Sequence, residues 1–285
     1  MQALPAPARK GYPSDLRDEE WTVLEPLVPA VKSGGRPARH TRREIVNAIL
    51  YVVQGGNQWR AMPHDLPPWQ TAYTYFRVWR NAGTWETIHS AVREQARKRL
   101  GREPTPSAAI LDSQSVKSSQ KGGLRGYDAN KKVMGRKRHL LVDTQGFALK
   151  VVVSAADVQD RDGARLVAHA LQTYGPELPR RSKVWADGGY SGPLADDLRA
   201  QVGWDVEIVK RSDAQPAGTF AVQPHRWIVE RTFAWWGGLR RLSRDYEYQV
   251  ESSEALIYAG MTRLMLRRMT RNDHARAAAR SSPAA

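Results

Sequence analysis

From Ala108 to Lys210 the chain reads as strand, hairpin, helix, strand, helix, strand, and few architectures accept that order. AAILD (108–112) is a short apolar strand ending on Asp112, and RHLLV (138–142) and FALKVVVS (147–154) flank the turn Asp143-Thr144-Gln145-Gly146 as a hairpin. DGARLVAHALQTYG (162–175) has helical periodicity. KVWAD (183–187), a helix over 193–202 and WDVEIVK (204–210) follow. A tight hairpin makes antiparallel neighbours, whereas strands separated by helices run parallel, so the expectation is one mixed sheet flanked by helices.

The first 104 residues have a different texture. Residues 1–17 are rich in Pro, Ala and charge, and are expected as a flexible arm. A helix is expected over 18–27, and SGGRPARH (33–40) as a flexible basic loop. Thr41 and Glu44 match a capping box for a helix that ends at Gly55-Gly56. After Pro67-Pro68, a helix from Trp69 to Arg80 puts Ala72, Phe76 and Trp79 on one face and Gln70, Thr74 and Arg77 on another. The second stripe can hydrogen-bond base edges and phosphates, as in a helix-turn-helix-like module, or is simply a solvated face. A helix over 85–100 and the linker GREPTP complete a helical domain expected over 18–104. A second domain is expected over 105–272, with a disordered basic tail over 273–285.

Composition narrows the chemistry. The 285 residues carry 44 Lys plus Arg against 29 Asp plus Glu, a net charge of +15 that favours polyanionic partners. With no cysteine, disulfides, thiolate nucleophiles and Cys-type zinc sites are excluded, which leaves carboxylates and histidines as ligands. No apolar run approaches the roughly 20 residues of a membrane span. The N-terminus lacks the apolar core of a signal peptide, so a cytoplasmic, nucleoid-associated protein is expected.

Three carboxylates stand out by position. Asp112 and Asp187 each end an expected strand, the latter before Gly188-Gly189, and would stand side by side if those strands are neighbours. Glu230 lies in HRWIVERTFAWWGGLRRL (225–242), a helical stretch with Arg226, Arg231, Arg240, Arg241, Trp227, Trp235 and Trp236. Arg226 and Glu230 share a face, which in isolation is an ordinary exposed ion pair. Three carboxylates on a rigid sheet and helix suit a pair of Mg2+ ions about 3.5–4 Å apart for in-line displacement at phosphorus. Mn2+ would serve the same oxygen donors. NKKVMGRKRH (130–139), with Lys131, Lys132, Arg136, Lys137 and Arg138, lies beside the first Asp and is expected to hold phosphates. Trp235 and Trp236 are either core or, for one of the two, a stacking partner for an unpaired base.

The strand and helix order is that of a ribonuclease H-like mixed sheet. The strings GRPARHTRREIVNAILYVVQGGNQWRAMPHDLPPWQTAYTYFRVW, LDSQSVK, GRKRHLLVDTQGF, ADGGYSG and HRWIVERTFAWWGGLRRLSRDYE together resemble the IS5-family transposases of bacterial insertion sequences, within the DDE group. The resemblance implies that Asp112, Asp187 and Glu230 are the catalytic, metal-binding triad. It further implies metal-dependent cleavage at double-stranded transposon ends with terminal inverted repeats, transfer of a 3′-hydroxyl to target DNA, and at least a homodimer in the DNA complex. The related IS4 signature Tyr-x2-Arg-x3-Glu-x6-Lys is met at Arg226 and Glu230 only. Gln223 and Gly237 stand at the Tyr and Lys positions, which leaves Arg240 or Arg241 as a replacement for the Lys. A nuclease without strand transfer and a domesticated DNA-binding protein are the competing readings.

Overall fold

The computed structural model describes residues 9–30, 38–120, 123–174, 180, 183–209 and 225–281. Four helices come first: α1 (Asp18–Leu24), α2 (Arg42–Gly55), α3 (Trp69–Asn81) and α4 (Thr84–Arg99). Thr41 caps α2 by accepting the Glu44 N–H, and Gly56 ends it at φ 73°, a left-handed conformation that glycine adopts without strain. Ala72, Phe76 and Trp79 are buried on α3 as the spacing predicts.

Six strands form one sheet: β1 (Ala108–Lys117), β2 (Gly126–Asp128), β3 (Val133–Asp143), β4 (Ala148–Ala155), β5 (Lys183–Ala186) and β6 (Asp205–Ile208). The spatial order is β4-β3-β1-β5-β6, with β2 paired to the start of β3. β3 runs antiparallel to β1 and β4, while β5 and β6 run parallel to β1. This is the expected ribonuclease H-like mixed sheet. Alternation along β1 decides the two faces. Ala109 and Leu111 join the core under α5 (Asp160–Tyr174) and α6 (Leu194–Val202), whereas Ile110 joins the core under α7 (Arg226–Gly237) and α8 (Val250–Ser281).

Helix α8 binds the whole together. It packs on α1, α2 and α4 as well as on β4, and one continuous apolar core runs from Leu16 and Ile49 through Leu256 and Met265 to Leu140 and Val151. The helical N-terminal region and the sheet therefore share a core across the boundary expected near 104.

Three expectations need correction, and one short strand was not expected at all. Asp112 does not end β1, because pairing with β3 carries the strand on to Lys117. Residues 9–17, expected as part of an arm, are tied down: Arg9 pairs with Asp15 and Glu44, Leu16 is buried, and the Leu16 N–H donates to Asn47. The last helix continues past 272 to Ser281, since Ala and Arg propagate a helix well. Strand β2 is three residues long and left no period to detect. Residues 1–8, most of the 33–40 loop and residues 282–285 lie outside the described residues.

Candidate functional site

Asp112 and Asp187 are neighbours by register. Parallel pairing of β1 and β5 ends at Ile110 opposite Trp185, so residues 112 and 187 stand abreast where the two strands part. Past that point β1 stays on β3, and β5 turns into a short 3-10 segment, Gly188–Tyr190. Asp187 caps this turn by accepting the Gly189 N–H at 2.8 Å. The Ser113 N–H donates to Asp112 Oδ1 at 2.7 Å. Both carboxylates are thus oriented by backbone before anything binds.

Glu230 arrives on α7, whose start is fixed against β5. The His225 ring stacks on Trp185 with centroids 4.0 Å apart and planes 9° apart, and His225 takes φ 67° to begin the helix. Arg226 follows, and its Nη2 lies 3.4 Å from Asp187, 3.8 Å from Asp112 and 3.8 Å from Glu230. One guanidinium therefore meets all three carboxylates, which are exposed in the order 14, 30 and 57 % for Asp112, Asp187 and Glu230. Burial pushes the Asp112 carboxyl up to about 6, and Asp187 adds to the rise against the opposing pull of the Ser113 N–H and Arg226.

Around this centre lie groups that no single motif picks out. Tyr190 is buried with an unpartnered hydroxyl, held well above its usual range by burial and by Asp112, Asp160 and Asp187. Asp160, at the start of α5, accepts from Ser113 Oγ at 2.8 Å and pairs with Lys137 at 3.0 Å. Burial opposes its charge, but Lys137 and Ser113 prevail and hold its carboxyl below the ordinary value. The sequence held a hint in ADGGYSG, where Tyr190 is the first bulky residue after the Asp187 turn.

The all-oxygen donor set Asp112, Asp187 and Glu230 is of the kind that suits a hard divalent cation, and the three carboxylates converge on the one positive charge of Arg226. With Arg226 between them, no three acidic or histidine side chains among the described residues come together as a closed metal cluster.

The expected phosphate contacts divide. Gln70, Thr74 and Arg77 are exposed along α3, and Lys131, Lys132 and Arg240 are exposed as well. Lys131 Nζ reaches back to within 3.4 Å of Ser113. Arg136, Lys137 and Arg138 are buried instead, their bonds spent inside the protein. Arg136 pairs with Asp245 at 2.9 Å, Lys137 with Asp160 and Asp128, and Arg138 donates to the Leu242 carbonyl at 2.8 Å. Arg241 is likewise taken, by Glu247 at 2.6 Å and the Asn57 carbonyl, so it does not stand in for the missing Lys. Trp236 is fully buried, and Trp235 lies half-buried between the guanidinium groups of Arg268 (3.7 Å) and Arg231 (4.9 Å). Trp236 is therefore core, while the Trp235 ring is already in contact with two cations. Arg231 itself donates to the Gln145 carbonyl and leans on Trp227, tying α7 to the β3–β4 turn.

Comparison with known proteins gives consistent matches. The family model described as "Transposase DDE domain" matches residues 103–265, and that described as "Putative transposase of IS4/5 family" matches residues 16–89. The "Insertion element IS402 uncharacterized 16.2 kDa protein" of Burkholderia cepacia is 30% identical over 109 residues, which is 35% of this chain and 71% of that protein. The "Putative transposase for insertion sequence element IS402" of the same organism is 28% identical over 130 residues, 44% of this chain and 60% of the relative. Among solved structures, the piggyBac transposase synaptic complex with hairpin DNA aligns over 90% of this chain and 72% of its own, at 11% identity and a TM-score of 0.41. The Mos1 mariner paired end complex with Mn aligns over 85% and 80%, at 11% identity and a TM-score of 0.27.

Proposed function

This chain belongs to the DDE-domain transposases of the IS5 family of insertion sequences, and from that premise we propose that it cuts double-stranded DNA at the ends of its element and joins the freed 3′-hydroxyl to target DNA. The observation that carries the reading is the meeting of Asp112, Asp187 and Glu230 around Arg226 at the point where β1 and β5 part.

Asp112, Asp187 and Glu230 are the residues that would hold divalent ions, Mg2+ with Mn2+ as a substitute, two per site. Bound there, such ions supply a Lewis acid that activates the attacking oxygen and steadies the leaving one. The chain's own residues do the rest. The Ser113 and Gly189 N–H groups hold the two Asp carboxylates in fixed directions, so little reorganisation is required when substrate arrives. Gly188 and Gly189 are exposed, and nothing lies within 4 Å of a side chain built at Gly188, so a phosphate backbone can approach Asp187 closely. Arg226 gives the carboxylates a counter-charge in the free protein and a donor for a phosphate oxygen in the complex. The exposed stripe Gln70, Thr74 and Arg77 reads base edges of the end sequence, and a dimer pairs two ends.

The test is cleavage of a duplex that carries the element's terminal inverted repeat. Wild-type protein with Mg2+ should nick it, and Asp112→Asn, Asp187→Asn and Glu230→Gln should each lose nicking while retaining binding, because each loses charge but little shape. A variant that nicks at the wild-type rate removes that residue from the site. Cleavage without joining to a target duplex favours the nuclease alternative.

A further inference from the structure

Beyond the carboxylate centre, α8 carries a set of arginines that make no ion pair among the described residues, although Glu20 and Asp15 lie near enough to act on Arg263. Arg263, Arg267 and Arg271 follow one another at four-residue spacing, and Arg268 stands beside them. With Arg17 and Trp235 they line a cavity of about 840 Å³ whose lining also includes Leu239 and Gly260. A second cavity of about 330 Å³, lined by Arg231 and Gln145, shares Arg268 and Arg271 with the first, so the two lie side by side as a groove along α8.

The charge in this groove is unbalanced. Several buried cations elsewhere have carboxylates, with Arg136 on Asp245, Arg97 on Asp143 and Lys150 on Glu86, whereas the isolated Arg93 and Arg138 rest on backbone carbonyls. In the groove, Arg17 pairs with Glu20. Among the described residues no carboxylate is in ion-pair contact with Arg231, Arg263, Arg267, Arg268 or Arg271. Arg263 and Arg267 donate only to backbone carbonyls of Pro13 and Ser14 and to Gln54, and Arg268 leans on the Trp235 face at 3.7 Å. Burial and the neighbouring Arg231 and Arg271 pull the Arg268 guanidinium down to about 10. Crowding like charges in this way is unfavourable unless an anion completes the site.

We propose that this α7–α8 groove is a sequence-independent binding surface for the phosphate backbone of duplex DNA, separate from the carboxylate centre. Arg263 is buried with its donors taken, so it backs the row while Arg267 and Arg271 face outward. Between those two the helix rises about 6 Å, and one strand of duplex spaces its charges about 3.4 Å apart along the axis, so the exposed pair spans about two phosphates. The number of cations and the open, elongated shape suit a polymer of phosphates better than one small anion. The groove also adjoins the cutting site: α7 bears Glu230 on one side, and the exposed residues Ala234, Gly237 and Gly238 lead along its outer ridge to the groove. A duplex held at Glu230 can continue over this low ridge onto the arginines. The choice of DNA as the polyanion rests on the function proposed above, whereas the groove itself rests on the cavities and the unpaired charge.

The experiment measures binding of the full chain to a duplex bearing the terminal repeat and to a random duplex, each across a salt series. Arg267 and Arg271 are exposed, so the double variant R267Q/R271Q should fold, as a melting curve will check. It should reduce the slope of log K against log salt by about 1–2, since each lost phosphate contact removes about 0.9, and the loss should be equal on the two duplexes. The R267K/R271K variant should restore most of the slope because a point charge suffices. An unchanged slope in the folded double variant, or a loss confined to the terminal-repeat duplex, overturns the groove as a backbone surface. Those results leave the transposase reading standing if wild-type protein still nicks in Mg2+. Conversely, wild-type protein that never nicks, while R267Q/R271Q still flattens the slope, sinks that reading and keeps the groove.

Discussion

Replacing Arg226 with Gln removes the one cation that the three carboxylates share. At 3.4–3.8 Å each contact is worth about 1 kcal/mol at the dielectric of water and about 4 kcal/mol at an effective constant of 20. Glu230 and Asp187 are exposed enough to be screened, so most of the loss falls on Asp112, and we expect a net cost of about 1–3 kcal/mol in chelator at pH 8. The pH dependence follows from Asp112. Its carboxyl is raised from 3.8 to about 6 in the folded state, so the stability due to the protonated form is complete below about 4 and lost as pH rises through 6. Without Arg226 the ionised form is costlier still, and the deficit should therefore shrink as pH falls from 7 to 4. Excess Mg2+ should offset the deficit, because an ion supplies the missing charge and binds only the folded protein. Urea unfolding of wild type and R226Q in chelator and in Mg2+, at pH 5 and pH 8, measures all of this. A deficit that is the same at both pH values and indifferent to Mg2+ would refute the argument and make Arg226 an ordinary packing residue.

Two further outcomes are expected. Glu254 on α8 accepts the Val153 N–H at 2.8 Å, and burial pushes its carboxyl up to about 7 from 4.5. Its charge destabilises the fold as pH rises through 7. Glu254→Gln keeps the acceptor without the charge and should raise stability at pH 8 by up to about 3 kcal/mol while changing little at pH 5; equal effects at both pH values would show the charge to be harmless. On α3, Gln70→Ala or Arg77→Ala should weaken binding to the terminal repeat by about 1–3 kcal/mol and to random duplex by less, as competition titration will show. Equal losses make α3 a phosphate clamp.

Much of the arrangement was legible because it is local. Thr41 with Glu44, the Asp143–Gly146 turn and the α3 apolar stripe all depend on residues within a turn of one another. The ribonuclease H-like sheet followed from element order, and the neighbourhood of Asp112 and Asp187 followed on the condition that their strands are neighbours, which β1 and β5 meet. What failed was the fate of charges. Arg136, Lys137 and Arg138 read as an exposed basic run, yet their partners Asp245, Asp160 and Leu242 are distant in sequence, and only the folded sheet brings them in. Trp236 is core, as expected for at least one of the two indoles, but the surroundings of Trp235 were hidden in the same way. Arg268, which occupies Trp235, lies a full helix further on. The groove on α8 escaped notice because a row of arginines on a helix looks the same whether its counter-charges are present or absent.

The chain's last helix supplies the surface that its first helices need, and this sets a schedule for synthesis. Arg263 and Arg267 hold the carbonyls of Ser14 and Pro13, Arg17 donates to Thr270, and Leu256 and Met265 complete the core around Ile49. At 5–20 residues per second a ribosome makes α8 on the order of ten to forty seconds after α2. For that interval α2 and α4 have α3 beside them but lack the α8 side of their core, and a newly made chain is exposed to chaperones, proteases and its own neighbours on the polysome. Ribosomes stalled ahead of residue 250 should accordingly carry protease-sensitive helices that become resistant only once α8 has emerged.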